Sequence, residues 1–459
     1  MKSYFCIAIL ISFFNSCSSS PSTDGSSNGT PLPTNPVVVL TDTEALDQVQ
    51  KDALKYFWDY AEPNSKLARE RYLVDNPNFE SDIITTGGSG FGLMTIIVGV
   101  ERGFVSRAEA VTRLTTALIF LGKAERFHGA WPHWINASNG AVIPFGTKDN
   151  GGDLVETSFL CQGFIAVREY FKNGSAAEKA LAQKADDLWR EVEWDWYTKG
   201  ENALYWHWSP NYEWEMNFKL EGYNECLVTY VMAASSPTHP ISKAAYDQAW
   251  ARNGGIKNNA TQYGIPVIFN YNGASGNVGP LFWAQYSYLG LDPRGLSDQY
   301  ANYWSLTQNH SKIINQYCIA NPKGWVGYSD KCWGLTASYS RNSDGSTGYS
   351  AHQPNNDLGV ITSTAALSSF PFTPVESMKF LHYLYDENKA NYIGTAGPYD
   401  AFSPHYDWVT KRYLAIDQGT IVPMIENYRT GLLWNLFMQA PEVITGLKAL
   451  GFSSTQHPL

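Results

Sequence analysis

Helices that are apolar on every side alternate along this chain with helices that carry one polar face, and the alternation repeats about six times. An all-apolar helix has to be enclosed by protein, whereas a helix with one polar stripe lies at a surface. After a first helix over 37–61, the stretches 92–100, 153–170, 221–234, 279–289, 357–367 and 417–437 read as apolar. The polar-faced helices 106–127, 176–193, 242–252, 297–319, 374–385 and 441–450 each follow one of them. Strand patterns are confined to 142–145 and 203–208. Packing six enclosed helices inside exposed ones predicts an all-α fold, an (α/α)6 barrel with inner and outer rings and long loops at one mouth. An open helical solenoid is the alternative, but the strict period of about 34 residues that such arrays show is not evident.

This single domain is expected to span 41–459. Ahead of it, Lys2 and the apolar run 3–14 read as a signal peptide over 1–16, too short to span a bilayer. Ser16-Cys17 resembles a bacterial lipoprotein cleavage site. Cys17 would then carry the lipid, and the Ser/Gly/Pro/Asn-rich stretch 17–40 would be a flexible tether. The expected location is exported, lipid-anchored, and periplasmic or associated with the outer membrane. Four cysteines remain for the domain. Cys161 and Cys226 read as small buried residues, and Cys318 and Cys332 are close enough in sequence for a disulfide.

The net charge of −10 argues against a nucleic-acid partner, which needs a basic stripe. Aromatic residues make up 14% of the chain, with 16 Trp and 28 Tyr, a supply suited to stacking flat rings and sugars.

Acids stand where the inner helices begin. Asp149, Asp153 and Glu156 lie within eight residues, the last two spaced to share one helix face after the turn-forming Gly151-Gly152. The competing explanation is an N-cap with a capping box, Asp153 capping and Glu156 reaching back. Glu225 follows Glu221 and precedes the apolar Cys226-Leu227-Val228, and Asp417 stands at a loop-to-helix junction before Pro423 and Glu426. If the inner helices run in parallel, these starts converge on one mouth. Glycosidic cleavage needs two carboxyl groups flanking the bond, one protonated and one ionised. An apolar wall raises a carboxyl pKa, which suits Glu225 to the general acid. Asp153 and Glu156 would orient sugar hydroxyls or the water with Asp149 behind them, and Asp417 is a second candidate for the base. Trp131, Trp206, Trp208 and Trp408 precede these acids in loops and are read as substrate-binding.

Other chemistries lack their signatures. The nine His residues show no metal-ligand spacing, 86–92 is Gly-rich without a nucleotide-loop pattern, and the EF-hand pattern that a Ca²⁺ site at Asp149 and Asp153 would use is missing. No metal and no cofactor are expected.

Three ordered motifs, Gly-Gly-Asp153-Leu-Val-Glu156-Thr-Ser-Phe, Glu221-Gly-Tyr223-Asn-Glu225 and Ala-Ile-Asp417-Gln418-Gly…Glu426-Asn-Tyr-Arg429-Thr-Gly-Leu, resemble the glycoamylase-like family over roughly residues 43–453. Within it they are similar to glycoside hydrolase family 144, the bacterial endo-β-1,2-glucanases. The resemblance implies an (α/α)6 barrel that hydrolyses linear β-1,2-glucan with inversion, giving sophoro-oligosaccharides. It also implies that Asp149, Asp153 and Glu156 matter for activity and that Glu225 lies in the cleft. Tyr223, Gln418, Glu426 and Arg429, within the matched motifs, are read as substrate-binding. The expected partners are a polysaccharide or oligosaccharide and, through Cys17, a membrane. The alternatives are a hydrolase of another glucan and a non-catalytic glycan-binding lipoprotein.

Overall fold

The structure, a computed structural model, describes residues 39–270 and 276–459. The signal-peptide reading, Cys17 and nearly all of the tether lie outside the described residues. The first helix of the described residues is the outer α1 (Asp42–Trp58), after which the chain turns inward as α2 (Thr86–Glu101) and outward as α3 (Arg107–Leu121). It continues inward as α4 (Leu154–Phe171), outward as α5 (Ala176–Arg190) and inward as α6 (Leu227–Ser235). Next comes the outer α7 (Lys243–Ala245), with a π-helical continuation Tyr246–Trp250. Two 3₁₀ turns, Leu281–Ala284 and Tyr286–Tyr288, take the fourth inner position. The outer α8 (Tyr303–Ala320), inner α9 (Ser363–Leu367), outer α10 (Pro374–His382) and short α11 (Lys389–Tyr392) follow. The inner α12 (Ala415–Arg429) leads to α13 (Leu432–Met438) and α14 (Pro441–Leu450).

The inner elements form a closed ring. In turn α2 packs on α4, α4 on α6, α6 on the Tyr286–Tyr288 turn, α9 on α12, and α12 back on α2. The remaining join is made by Gln285, whose Nε2 donates to the Ala365 carbonyl of α9 at 2.9 Å. This is the (α/α)6 barrel. Every residue of α2 from Thr86 to Gly99 is buried, as its lack of a polar face requires. The helices α2 and α4 lie close together: a Cβ placed on Gly163 would lie 2.5 Å from the Gly90 carbonyl oxygen. Only glycine lets the two backbones approach so closely. The outer helices α1, α3 and α5 each open with a capping box, Thr41/Glu44, Ser106/Glu109 and Ser175/Glu178, a device worth about 1 kcal/mol per cap.

Four inner helices, α2, α4, α9 and α12, are entered from short strands, Ile83–Thr85, Gly152–Asp153, Ile361–Thr362 and Arg412–Leu414. Each of these strands pairs antiparallel with a loop segment, which fixes the helix starts. A hairpin, Ala337–Arg341 paired with Thr347–Ala351, joins this end of the barrel without having been expected from the sequence. The inner helix α6 begins at Leu227, so Glu221 and Glu225 precede it rather than lying one turn apart within it. Cys318 and Cys332 are both buried and both free, so the possible disulfide is not formed. Among the described residues no helix is long and apolar enough to cross a membrane.

Candidate active site

The starts of five inner elements meet around a cavity of about 680 Å³. Thr85 comes from the entry to α2, Glu156 from the first turn of α4 and Glu225 from the entry to α6. Phe282 and Tyr286 come from the 3₁₀ turns, and Leu414 and Ile416 from the start of α12. Glu70, His133, Trp134, Phe145, Trp206 and the hairpin residues Tyr339 and Tyr349 complete much of the wall. Three carboxylates, Glu70, Glu156 and Glu225, therefore line one aromatic-walled space, and Glu156 and Glu225 come from the starts of adjacent inner helices, where the sequence motifs set acids.

Glu156 departs from the capping-box geometry. Asp153 does cap α4, its Oδ1 accepting the N–H groups of Val155 at 3.0 Å and Glu156 at 2.9 Å. The Glu156 carboxylate does not reach back to the cap. It crosses to α2, where its Oε2 accepts the Gly87 N–H at 2.7 Å. A Cβ on residue 87 would collide with that same oxygen, so glycine keeps the approach open. This helix-start amide favours the anion, but burial prevails and pushes the Glu156 carboxyl up to about 7. Burial also pushes Glu225 up to about 7, and the Asp153 charge adds to it.

Behind Glu156 lies a ladder of alternating imidazoles and carboxylates. His133 Nδ1 is 3.0 Å from Asp153 Oδ2, and His207 Nε2 is 3.9 Å from the same oxygen and 3.3 Å from Asp149 Oδ2. Burial alone would drive His133 down, but the negative charges of Glu156 and Asp153 outweigh it and push the imidazole up to about 10. Asp153 is held below its ordinary value. Burial opposes this, and the hydrogen bond and charge of His133, the charge of His207 and the Glu156 N–H overcome it. The ligand atoms of His133, Asp149 and Asp153 lie within 4.8 Å of one another, near enough to share a cation. Here the His133 imidazolium supplies the positive charge. Neither histidine carried a sequence signal. His207 is brought in because its strand pairs with Gly152–Asp153, directly opposite Asp153.

Asp149 and Asp153 are thus buried behind the wall rather than in it, with 7% and 0% of their surface exposed. Asp417 lies beneath the cavity, where its Oδ1 accepts the Tyr286 hydroxyl at 3.2 Å. Burial and the adjacent Asp400 carboxylate push the Asp417 carboxyl well up. Asp400 in turn accepts the Tyr339 N–H at 2.8 Å, so the pair supports two wall residues.

Of the residues read as substrate-binding, Trp206 lines the cavity and the others lie elsewhere. Trp131 is fully buried in the core, its Nε1 donating to the Leu121 carbonyl at 3.1 Å and its ring packing on Phe164. Trp208 packs against His128 and Phe127, and Trp408 sits half-buried in a strand paired with Ser403. Tyr223 is buried, hydrogen-bonded to His310 at 3.0 Å. Gln418 donates to the Ala396 carbonyl at 2.7 Å. Glu426 and Arg429 sit too far along α12: at about 1.5 Å per residue they are roughly 13 and 18 Å below Asp417. Glu426 there binds Arg102 through two hydrogen bonds of 2.7 and 2.8 Å, and Arg429 binds Gln50 at 2.7 Å.

The chain is also similar to known proteins. A glycoamylase family model, described as "Putative glucoamylase", matches residues 217–441. The chain is 43% identical over 433 residues to an exo β-1,2-glucooligosaccharide sophorohydrolase (non-reducing end) of Parabacteroides distasonis. That match covers 90% of this chain, and the chain spans only 58% of that relative's length. An endo-β-1,2-glucanase of Chitinophaga pinensis, solved with sophorotriose and glucose, superposes with a TM-score of 0.88 at 53% identity, covering 90% of this chain and 99% of that one. A β-1,2-glucanase structure from Parabacteroides distasonis superposes with a TM-score of 0.83 at 42% identity, covering 90% of this chain and 60% of that one.

Proposed function

The chain belongs to the glycoamylase-like family of these glucanases, and on that premise we propose that it hydrolyses β-1,2-glucosidic bonds in linear β-1,2-glucan, inverting the anomeric centre and releasing sophoro-oligosaccharides. The observation that carries this reading is the pair Glu225 and Glu156, from neighbouring helix starts, facing one aromatic-walled cavity. Glu225, with a carboxyl raised to about 7 chiefly by burial, is the proton donor to the leaving oxygen. Glu156 stands beside the His133 imidazolium and the Gly87 N–H, both of which favour its anion, and it holds the attacking water. Asp153, Asp149 and His207 position His133. Inversion requires the two carboxyl groups to leave room for that water, about 6.5–9.5 Å. Trp206 and Tyr349 line the cavity as the aromatic surfaces on which the apolar C–H faces of the sugars pack.

Reducing-end release on a panel of β-1,2-glucan, starch and cyclic glucan tests the substrate, and NMR of the first product anomer tests inversion. Glu225→Gln should lose about 10²–10⁴-fold in kcat with its fold intact. Near wild-type turnover would remove Glu225 from the acid role, and binding without new reducing ends would favour a glycan-binding protein.

Export with a lipid at Cys17 belongs to the same reading, supported by Lys2, the apolar run 3–14 and the Ser16-Cys17 junction. Palmitate labelling that persists in Cys17→Ser would refute it.

A further inference from the structure

A second groove, of about 630 Å³, shares no lining residue with the cavity that holds Glu156 and Glu225. Its floor includes Trp196 and Trp214. Trp196 is the most exposed tryptophan among the described residues, with 40% of its surface open. It does not stand alone: Trp214 lines the same groove, so the two rings make an aromatic patch and not a single scattered surface residue.

The ring is held rigidly. One face stacks on the His128 imidazole with centroids 3.7 Å apart and planes 15° from parallel. His128 is itself fixed by a 2.9 Å hydrogen bond to Glu193. Trp208 meets the indole edge-on, and Trp214 lies 6.3 Å away, tilted by 35°. The backbone beneath is fixed too: Asp195 accepts the Trp196 N–H at 3.0 Å and pairs with His239 at 3.0 Å. His128 covers one face, and 40% of the Trp196 surface stays open to the groove. The carboxylates of Glu193 and Asp195, 40% and 56% exposed, flank it.

A preset aromatic plate bordered by open carboxylates matches a sugar ring, whose C–H face packs on the indole while its hydroxyls donate to the acids. A rigid plate also spares the ligand the cost of ordering it. One loop links the two sites: Trp206 lines the cavity, and Trp214, eight residues on, lines the groove.

From this geometry we propose that the Trp196 groove is a second carbohydrate site, which holds a glucose unit of a β-1,2-glucan chain outside the catalytic cavity. The identity of the glucan rests on the function proposed above. The site acts by tethering polymer, so it is felt by long chains and not by oligosaccharides that only fill the cavity.

The test compares the Glu225→Gln chain with and without Trp196→Ala by affinity electrophoresis through gels containing β-1,2-glucan. Removing the indole should weaken retardation about three- to ten-fold. In the active enzyme, Trp196→Ala should raise KM for the polymer by a similar factor, with kcat and the KM for the shortest cleaved oligosaccharide unchanged. Trp196→Phe, which keeps an aromatic face, should recover most of the retardation and guards against a folding artefact. Equal retardation and equal polymer KM, in an enzyme that does cleave β-1,2-glucan, would overturn the second site and leave the function standing. If the wild type released no reducing ends from β-1,2-glucan, the functional reading would fail separately. Retardation alone would then decide the groove, and equal migration would overturn it.

Discussion

Asp153 and His133 are joined by a 3.0 Å contact between Oδ2 and Nδ1, while the other oxygen of Asp153 caps α4. One buried carboxylate thus fixes the helix start that carries Glu156 and holds the imidazolium whose charge acts on Glu156. Asp153 is fully buried with both its oxygens engaged, so in the proposed mechanism it acts through these neighbours.

Asp153→Asn separates the two tasks. Asparagine caps a helix about as well as aspartate, so the fold should hold. The negative charge beside His133 is lost, however. Glu156 itself still favours the imidazolium, so what goes is part of the push that raises Glu156. The acid limb of the kcat/KM profile should therefore move to lower pH, with kcat reduced and KM little changed. A profile that kept its limbs while only stability fell would make Asp153 a cap and nothing more.

Glu225 sets the other limb. Its carboxyl is raised from about 4.5 to about 7, and a general acid must be protonated to work. Activity should fall about ten-fold per pH unit above about 7, and the residual activity of Glu225→Gln should lose this limb. The same shift bears on stability. The folded chain binds this proton more tightly than the unfolded one, so Glu225's contribution is fully present below about 4.5 and is lost as pH rises through about 7. Glu156 is raised to about 7 as well, so the two limbs of the profile overlap. An alkaline limb that survived in Glu225→Gln would assign it to another group.

The ring itself was legible because helices such as α2 have no polar side to show to water, which leaves them no place but the inside. The meeting of Glu156 and Glu225 followed from acids placed at the starts of parallel helices. The two histidines were not legible: His133 and His207 lie 74 positions apart without ligand spacing, and only the pairing of His207 with Asp153 brings them together. The hairpin at 337–351 did carry a turn signal at Asp344-Gly345, yet its strands look like ordinary loop sequence. Trp131 shows the opposite failure, since a tryptophan in a loop before an inner helix can face either the cavity or the core, and composition does not say which. On α12 the matched motif runs for several turns, but only its first turn reaches the mouth.

Glu426 therefore belongs to stability and not to substrate. It is 2% exposed, accepts from Arg102 at 2.7 and 2.8 Å, from Gln50 at 3.2 Å and from Thr430 at 2.8 Å, and so ties α12 to α1 and α2. Glu426→Ala would leave the part-buried Arg102 guanidinium without its carboxylate, a loss of about 1–3 kcal/mol. Thermal or urea unfolding should register that loss. Enzyme assayed well below its melting temperature should keep the wild-type KM, because roughly 13 Å of helix separates Glu426 from Asp417, which itself lies beneath the cavity. A raised KM with unchanged stability would return Glu426 to the binding site.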